Sequence, residues 1–192
     1  MKSGTKSILF GVHQFLIHPL FVFVAWIALY RKLPKLHEIF AIITHDLGLW
    51  GLPNIDGDEG ETHPMIMYDW WMDSWIRWVF WDAEFRRKVA NEILGHSGYY
   101  CEKMDIERSK LYKPDKLSVS FYPICLYLLL ATLSGEIQEY MELAKSGKYS
   151  ALEQKKSKLM WFLETRSYMT LKAVTNRHHI SQILKADEHN ET

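Results

Sequence analysis

The sequence has little cysteine, no surplus of charge and no alternating pattern. Each absence closes off a class of protein. Its two cysteines, Cys101 and Cys125, lie in different segments without CxxC spacing. They suit free thiols in a reducing, cytoplasmic setting and exclude a disulfide framework or a cysteine zinc knuckle. Formal net charge is +0 with a pI of about 7.1. A specific nucleic-acid footprint needs a basic excess, so none is expected. A local basic pocket for a small phosphorylated ligand remains compatible with that balance. No segment sustains two-residue alternation of apolar and polar residues, so strands are not expected. Repeats, low-complexity tracts and interdomain linkers are also missing. The 192 residues suffice for one domain with a real core.

What remains is helical, and the chain reads as all-α. Residues 7–31 suggest one helix, with a break near His18-Pro19, because proline disfavours helix in the preceding residue. Leu36 to Thr44 forms a second helix, and Trp50 to Glu61 a Gly- and Asp-rich loop. A third helix runs from Thr62 to about Phe80 and a fourth from Asp82 to Leu94. Gly95-His96-Ser97-Gly98 interrupts the pattern, and residues 105–114 form a loop. Asp115 opens a long apolar helix to residue 133, kinked near Pro123. Helices at Gly135 to Ala144 and Ser150 to Val174 follow. Residues 1–175 then make the domain and 176–192 a polar tail.

Two stretches bear on partners. Ile8 to Tyr30 is nearly all apolar and long enough to span a bilayer. It carries His13, Gln14, His18 and Pro19 at its middle, where polar groups are expensive in lipid. No small-residue cleavage site follows it. A buried core helix bearing functional histidines fits better, with no membrane as partner. Trp70, Trp71, Trp75, Trp78 and Trp81 fall within a dozen residues. They suit a helix packed on both sides or an oligomer contact, in preference to a base-stacking wall. With the apolar helix after Asp115, they lead us to expect a homo-oligomer.

The apolar run Ile42-Ile43-Thr44 delivers His45-Asp46 and then stops at Leu47-Gly48. Adjacent residues rarely face one point, but a His-Asp pair at a helix C-terminus can share a cation, one as neutral nitrogen donor and one as hard oxygen donor. His18, His63, His96 and Asp115 add donors from other elements. Converged in a helical bundle, the set can hold one or two divalent ions (Zn, Mn, Co, Mg or Fe), a layout that suits phosphate-ester hydrolysis.

The order His18, His45-Asp46, His63, His96, Asp115 resembles the HD-domain superfamily of metal-dependent phosphohydrolases. His18-Pro19-Leu20-Phe21-Val22 resembles its first-helix histidine. Ile43-Thr44-His45-Asp46-Leu47-Gly48 looks like its His-Asp run, Thr62-His63-Pro64 like the third histidine of two-metal members, and Pro114-Asp115-Lys116-Leu117 like its closing aspartate. Residues 11–19 and the string Gly135-Glu136-Ile137-Gln138-Glu139-Tyr140-Met141 look like a narrower group of small bacterial and phage HD proteins, similar to phage dATP triphosphohydrolases. The resemblance covers residues 8–142. It implies a compact HD-like bundle and hydrolysis of a small-molecule nucleotide, first a dNTP. Other substrates within the superfamily are nucleoside monophosphates, cyclic nucleotides and guanosine alarmones. A non-catalytic helical metal-binding protein is the alternative of another class.

One departure matters. Superfamily nucleotidases often carry a glutamate shortly after the His-Asp pair, and here that stretch is Leu47-Gly48-Leu49-Trp50. The nearest carboxylates are Asp56, Asp58, Glu59 and Glu61. We expect Glu59 or Glu61, with Asp46, to serve catalysis, unless a metal-bound hydroxide needs no separate base. Lys116, Arg108 and Lys110 are expected to offset phosphate charge, and His13, Gln14 and Ser97 to hydrogen-bond substrate.

Overall fold

The computed structural model describes residues 1–145 and 157–174. Among these residues there are eleven α-helices, short 3-10 turns and no strand. The all-α reading therefore holds. Residues 150–156 of the last expected helix and the 176–192 tail lie outside the described residues.

The long N-terminal helix expected over residues 7–31 is two helices. α1 spans Ser3–Phe10 and α2 spans Ile17–Tyr30. The break falls before His18-Pro19 because Gln14 makes a helix start there. Its side-chain oxygen accepts the Leu16 and Ile17 amides at 2.8 and 2.7 Å, filling donors that a new helix leaves unmet. Pro19 then sits in the first turn, where it forfeits no intrahelical bond. The break also removes the apparent bilayer span. Among the described residues no single helix is long and apolar enough to cross a membrane.

α3 (Leu36–Thr44) has the expected bounds, with Glu38 reaching back to the Lys35 amide at 2.6 Å. α4 covers only His63–Asp73, and α5 is a single turn, Ile76–Val79. The tryptophans therefore do not share one helix packed on both sides. Trp71 is buried, whereas Trp75, Trp78 and Trp81 are exposed on and beside α5. α6 (Ala83–Leu94) starts at Asp82, whose carboxylate accepts the Glu84 and Phe85 amides. α7 is Gly98–Lys103, and α8 is Tyr112–Ser118. Asp115 thus lies inside the first turn of α8 instead of opening it.

The long apolar helix after Asp115 is also two. A 3-10 turn ends at Phe121, Pro123 breaks the chain, and α9 (Ile124–Ser134) leaves at 108° to the segment before it. Gly135 closes α9 in the left-handed region, and α10 (Glu136–Lys145) and α11 (Lys158–Val174) complete the described chain.

Two cores result. Trp26 of α2, Ile42 of α3, Trp71 of α4 and Ile93 of α6 fill one. Tyr127 and Ala131 of α9, Ile137 of α10, and Trp161 and Phe162 of α11 fill the other. α2 packs on α8 and α8 on α11, joining the two halves. The buried polar residues His18, His45, Asp46, His96 and Asp115 belong to the elements around that seam.

Candidate metal centre

Each histidine of the cluster is delivered by a helix end. His45 caps the C-terminus of α3, His63 opens α4, and His96 follows α6. In these three the Nδ1 faces the carbonyl three residues earlier: Ile42 at 2.9 Å for His45, Gly60 at 2.7 Å for His63, and Ile93 for His96. A carbonyl only accepts, so each Nδ1 carries the proton and donates it. When the ring is neutral, Nε2 is then a bare donor for a cation. Carbonyls left over at helix ends thus fix the tautomer that metal ligation needs.

The Nε2 atoms meet two carboxylates. His18 Nε2 lies 3.2 Å from Asp115 Oδ1 and 3.2 Å from Asp46 Oδ2. His45 Nε2 lies 3.2 Å from Asp46 Oδ2, 3.5 Å from Asp115 Oδ1 and 3.3 Å from His18 Nε2. The other oxygen of Asp46 is 3.6 Å from His63 Nε2. The His96 ring stands 5.0 Å from that of His45 and 5.5 Å from that of His63, centre to centre. The donor atoms of His18, His45 and Asp115 lie close enough to hold one ion, as do those of His45, Asp46 and His96. All six metal ligands expected from the sequence are brought together.

This geometry is poor for a purely protein-satisfied core. Asp46 Oδ2, His63 Nε2 and His18 Nδ1 are buried without a hydrogen-bond partner among the described residues. Buried polar atoms rarely stay unmet, and the Asp46 and His63 atoms are ligand types for a divalent cation. The residues present fit such an ion.

The electrostatics agree. Burial would raise the Asp46 carboxyl, yet His45 and its neighbours hold it well below the usual range. Asp115 is likewise held low against burial, by Lys116 first and then by His18 and His45. Burial would lower His45, but Asp46 and Asp115 push it up to about 10. His96 is lowered to about 3, by burial and then by His45. Burial also lowers His18 and His63. Two buried carboxylates demand positive charge at this point, and a proton on His45 stands where a cation fits.

Gly48 explains why the His-Asp run ends in glycine. A Cβ there would lie 2.2 Å from the carbonyl oxygen of His63. The backbones touch, and that contact sets His63 beside Asp46.

A cavity of about 110 Å³ opens on the cluster, lined by His13, His18, Asp56, Asp115, Lys116 and aromatic side chains of α9, α10 and α11. Lys116 Nζ pairs with Asp115 Oδ2 at 3.0 Å, and its pKa is raised because that carboxylate outweighs burial. His13 Nδ1 is 3.0 Å from Ser7 Oγ and 3.6 Å from Glu136 Oε1. Burial is outweighed there by Asp46 and Glu136, and His13 is raised to about 9. Two carboxylates of α10 hold the cavity walls by their backbone. Glu136, fully buried, accepts the Val12 amide with both oxygens at 3.1 and 3.0 Å. Glu139 Oε1 accepts the Ile55 and Asp56 amides at 2.6 and 2.9 Å.

Several expected residues lie elsewhere. Gln14 caps α2, and the Ser97 hydroxyl accepts the Tyr100 amide at the start of α7. Arg108 and Lys110 line a separate, larger cavity of about 800 Å³ with Tyr30, Tyr112 and Lys172. Lys110 is held there by Glu38 at 3.0 Å, because its loop packs against the N-terminal end of α3 while the cluster sits at the C-terminal end. Glu59 is exposed and bonded to Asn54 at 2.5 Å. Glu61 is half-buried in the 3-10 turn before α4 and does not line the cavity at the cluster. The acidic loop instead presents Asp56 there. The spacing of its four acids gave no means of ranking them. Residues of α11 were missed altogether, since its sequence resembles an ordinary amphipathic helix.

No protein-family model matches this sequence, and no curated protein or solved structure is similar enough to it to count as a match.

Proposed function

We propose that the chain is a metal-dependent phosphohydrolase acting on nucleotides. The observation that carries this reading is the convergence of His18, His45, Asp46 and Asp115 within 3.2–3.5 Å contacts. Asp46 turns its second oxygen toward His63 at 3.6 Å, the position from which one carboxylate can serve two ions. His18, His45 and Asp115, with Asp46, would hold one cation, and Asp46, His63 and His96 a second. A divalent cation in this setting supplies Lewis acidity, making water more acidic and withdrawing charge from phosphoryl oxygens.

The chain supplies the rest. Lys116 lines the cavity and opposes negative charge on a phosphate, and His13 beside it can hydrogen-bond a phosphoryl oxygen. Asp56, on the same wall, is the carboxylate best placed to take a proton, in preference to Glu59 and Glu61. The Glu136 and Glu139 bonds to backbone amides keep His13 and Asp56 on opposite loops in fixed positions. A dNTP is the favoured substrate through the resemblance of residues 8–142 to HD phosphohydrolases.

The test is a screen of deoxy- and ribonucleoside mono- and triphosphates, cyclic nucleotides and alarmones with Mg, Mn, Co and Zn, resolving products by chromatography. Metal content is measured on the same protein. Turnover lost in His45→Ala and Asp46→Ala variants that remain folded supports the proposal. Full activity in those variants overturns it, as does a stable metal-free protein without turnover.

A further inference from the structure

The cavity beside the cluster has a second end, made by α11 and α10. Tyr140 and Trp161 stack there, 5.7 Å apart with rings inclined by 8°. Thr165 lies one turn along from Trp161, and both line the cavity. Thr165 is 6% exposed and Trp161 3% exposed. Yet the Thr165 hydroxyl and the Trp161 indole N–H have no hydrogen-bond partner among the described residues.

The Thr165 hydroxyl is anomalous within its own helix. A helical Ser or Thr in a dry setting normally bonds the carbonyl four residues back. Ser167 does so to Leu163 at 3.0 Å, and Thr170 to Arg166 at 2.7 Å. Thr165 is the most buried of the three and does not. Leaving a buried hydroxyl and a buried indole N–H unmet costs stability, unless something entering the cavity meets them.

We propose that this end of the cavity is a base-recognition subsite and that Thr165, with Trp161, determines base specificity. The inference rests on the nucleotide phosphohydrolase reading and deepens it. The cavity, about 110 Å³ over its whole length, is of the same order as the ~150 Å³ apolar cavity that accepts one benzene ring. The stacked Tyr140 and Trp161 form one aromatic wall of the cavity, along which a flat ring can pack. The indole N–H can only donate, and the hydroxyl donates or accepts. Together they match a heterocycle edge with an acceptor beside a second polar group, and the order and spacing of such groups differ from one nucleobase to another. Lys116 and the His/Asp cluster take the charged part of the same ligand at the other end.

The test compares wild type, Thr165→Val and Thr165→Ser on a nucleotide panel and on inorganic tripolyphosphate, which has no base. Valine keeps the shape and removes the hydroxyl. Loss of one bond to the substrate should lower kcat/KM for the preferred nucleotide about tenfold relative to tripolyphosphate and flatten the ranking of bases. Serine should restore most of the loss. Thr165→Val should melt no lower than wild type, since it removes an unmet polar group, and a drop would mark a structural role and overturn the inference. An unchanged ratio and ranking in Thr165→Val overturns it while leaving the phosphohydrolase reading intact. A wild-type protein that turns over no nucleotide overturns both.

Discussion

Replacing Gly48 by alanine tests whether backbone contact assembles the centre. The added Cβ would sit 2.2 Å from the His63 carbonyl oxygen, 3.0 Å from its carbon and 3.1 Å from its Cα. Carbon–oxygen contacts settle near ~3.3 Å, so one backbone must retreat by roughly 1 Å. Neither is free to do so cheaply. Gly48 lies in the turn that follows Asp46, and His63 is pinned by its Nδ1 bond to Gly60. Overpacking of this kind costs about 1–3 kcal/mol. At about 2–4 °C per kcal/mol for a chain of this size, the melting midpoint should fall by roughly 2–12 °C. His63 moves with its backbone, so its 3.6 Å approach to Asp46 is lost. Disturbing the support of a ligand costs about 10–100-fold in metal affinity. Gly51→Ala is the control. It too should destabilise, because Gly51 has φ +85°, but nothing lies within 4 Å of its Cβ. Calorimetry gives the midpoints, and metal titration followed by dialysis and elemental analysis gives the affinities. If Gly48→Ala binds metal as tightly as Gly51→Ala does, the contact does not position His63 and the reasoning fails.

Other outcomes follow from the same geometry. A chelator should lower the melting midpoint of protein purified with metal, since an ion at about 100 times its Kd adds ~2.7 kcal/mol, and re-addition should restore it; no shift would count against resident metal. Asp46→Asn keeps the shape but removes the charge shared by His18, His45 and His63, and should abolish metal retention and turnover together, as read by elemental analysis and product chromatography. The Glu38 carboxyl is held below its usual pKa, because the Lys35 amide and Lys110 outweigh burial. A depressed carboxyl stabilises above its unfolded pKa of about 4.3 and loses that contribution as pH falls through the folded value, so urea midpoints should decline on acidification and Glu38→Gln should flatten that limb. Trp75, Trp78 and Trp81 are 63%, 78% and 87% exposed. An apolar aromatic patch of this kind favours burial against a second copy, so light scattering should find a self-associated chain at micromolar concentration and Trp78→Ser with Trp81→Ser a monomer.

The His/Asp cluster was legible in the sequence because most of its members are locally marked. His45-Asp46 ends an apolar run, His63 precedes a proline, and His96 stands between glycines. Such marks arise because these residues sit at helix ends, where breaks leave a trace. Second-tier residues carried no such trace. Gln14 looked like a ligand-binding amide, but two backbone amides at the start of α2 claim it. Arg108 and Lys110 are near Asp115 in sequence, yet the loop carries them toward Tyr30 and Glu38. Charge and proximity along the chain do not encode which side of α8 a loop crosses.

Glu136 and Glu139 show what a buried carboxylate contributes without touching a ligand. Each spends its oxygens on backbone amides over 80 residues away in sequence, Val12 for one and Ile55 with Asp56 for the other. A charged acceptor makes such bonds about twice as strong as a neutral one. The two loops so held carry His13 and Asp56, the cation and anion on the cavity wall. One turn of α10 therefore sets the distance between groups that no secondary structure connects. Tyr122 donates to the Val12 carbonyl at 2.7 Å, so the same residue is clamped through both its amide and its carbonyl. The neutral substitution Glu136→Gln leaves one acceptor oxygen where Val12 N–H now meets two and removes the charge that strengthens the bond. Its effect should therefore reach the position of His13 before it reaches the His/Asp cluster.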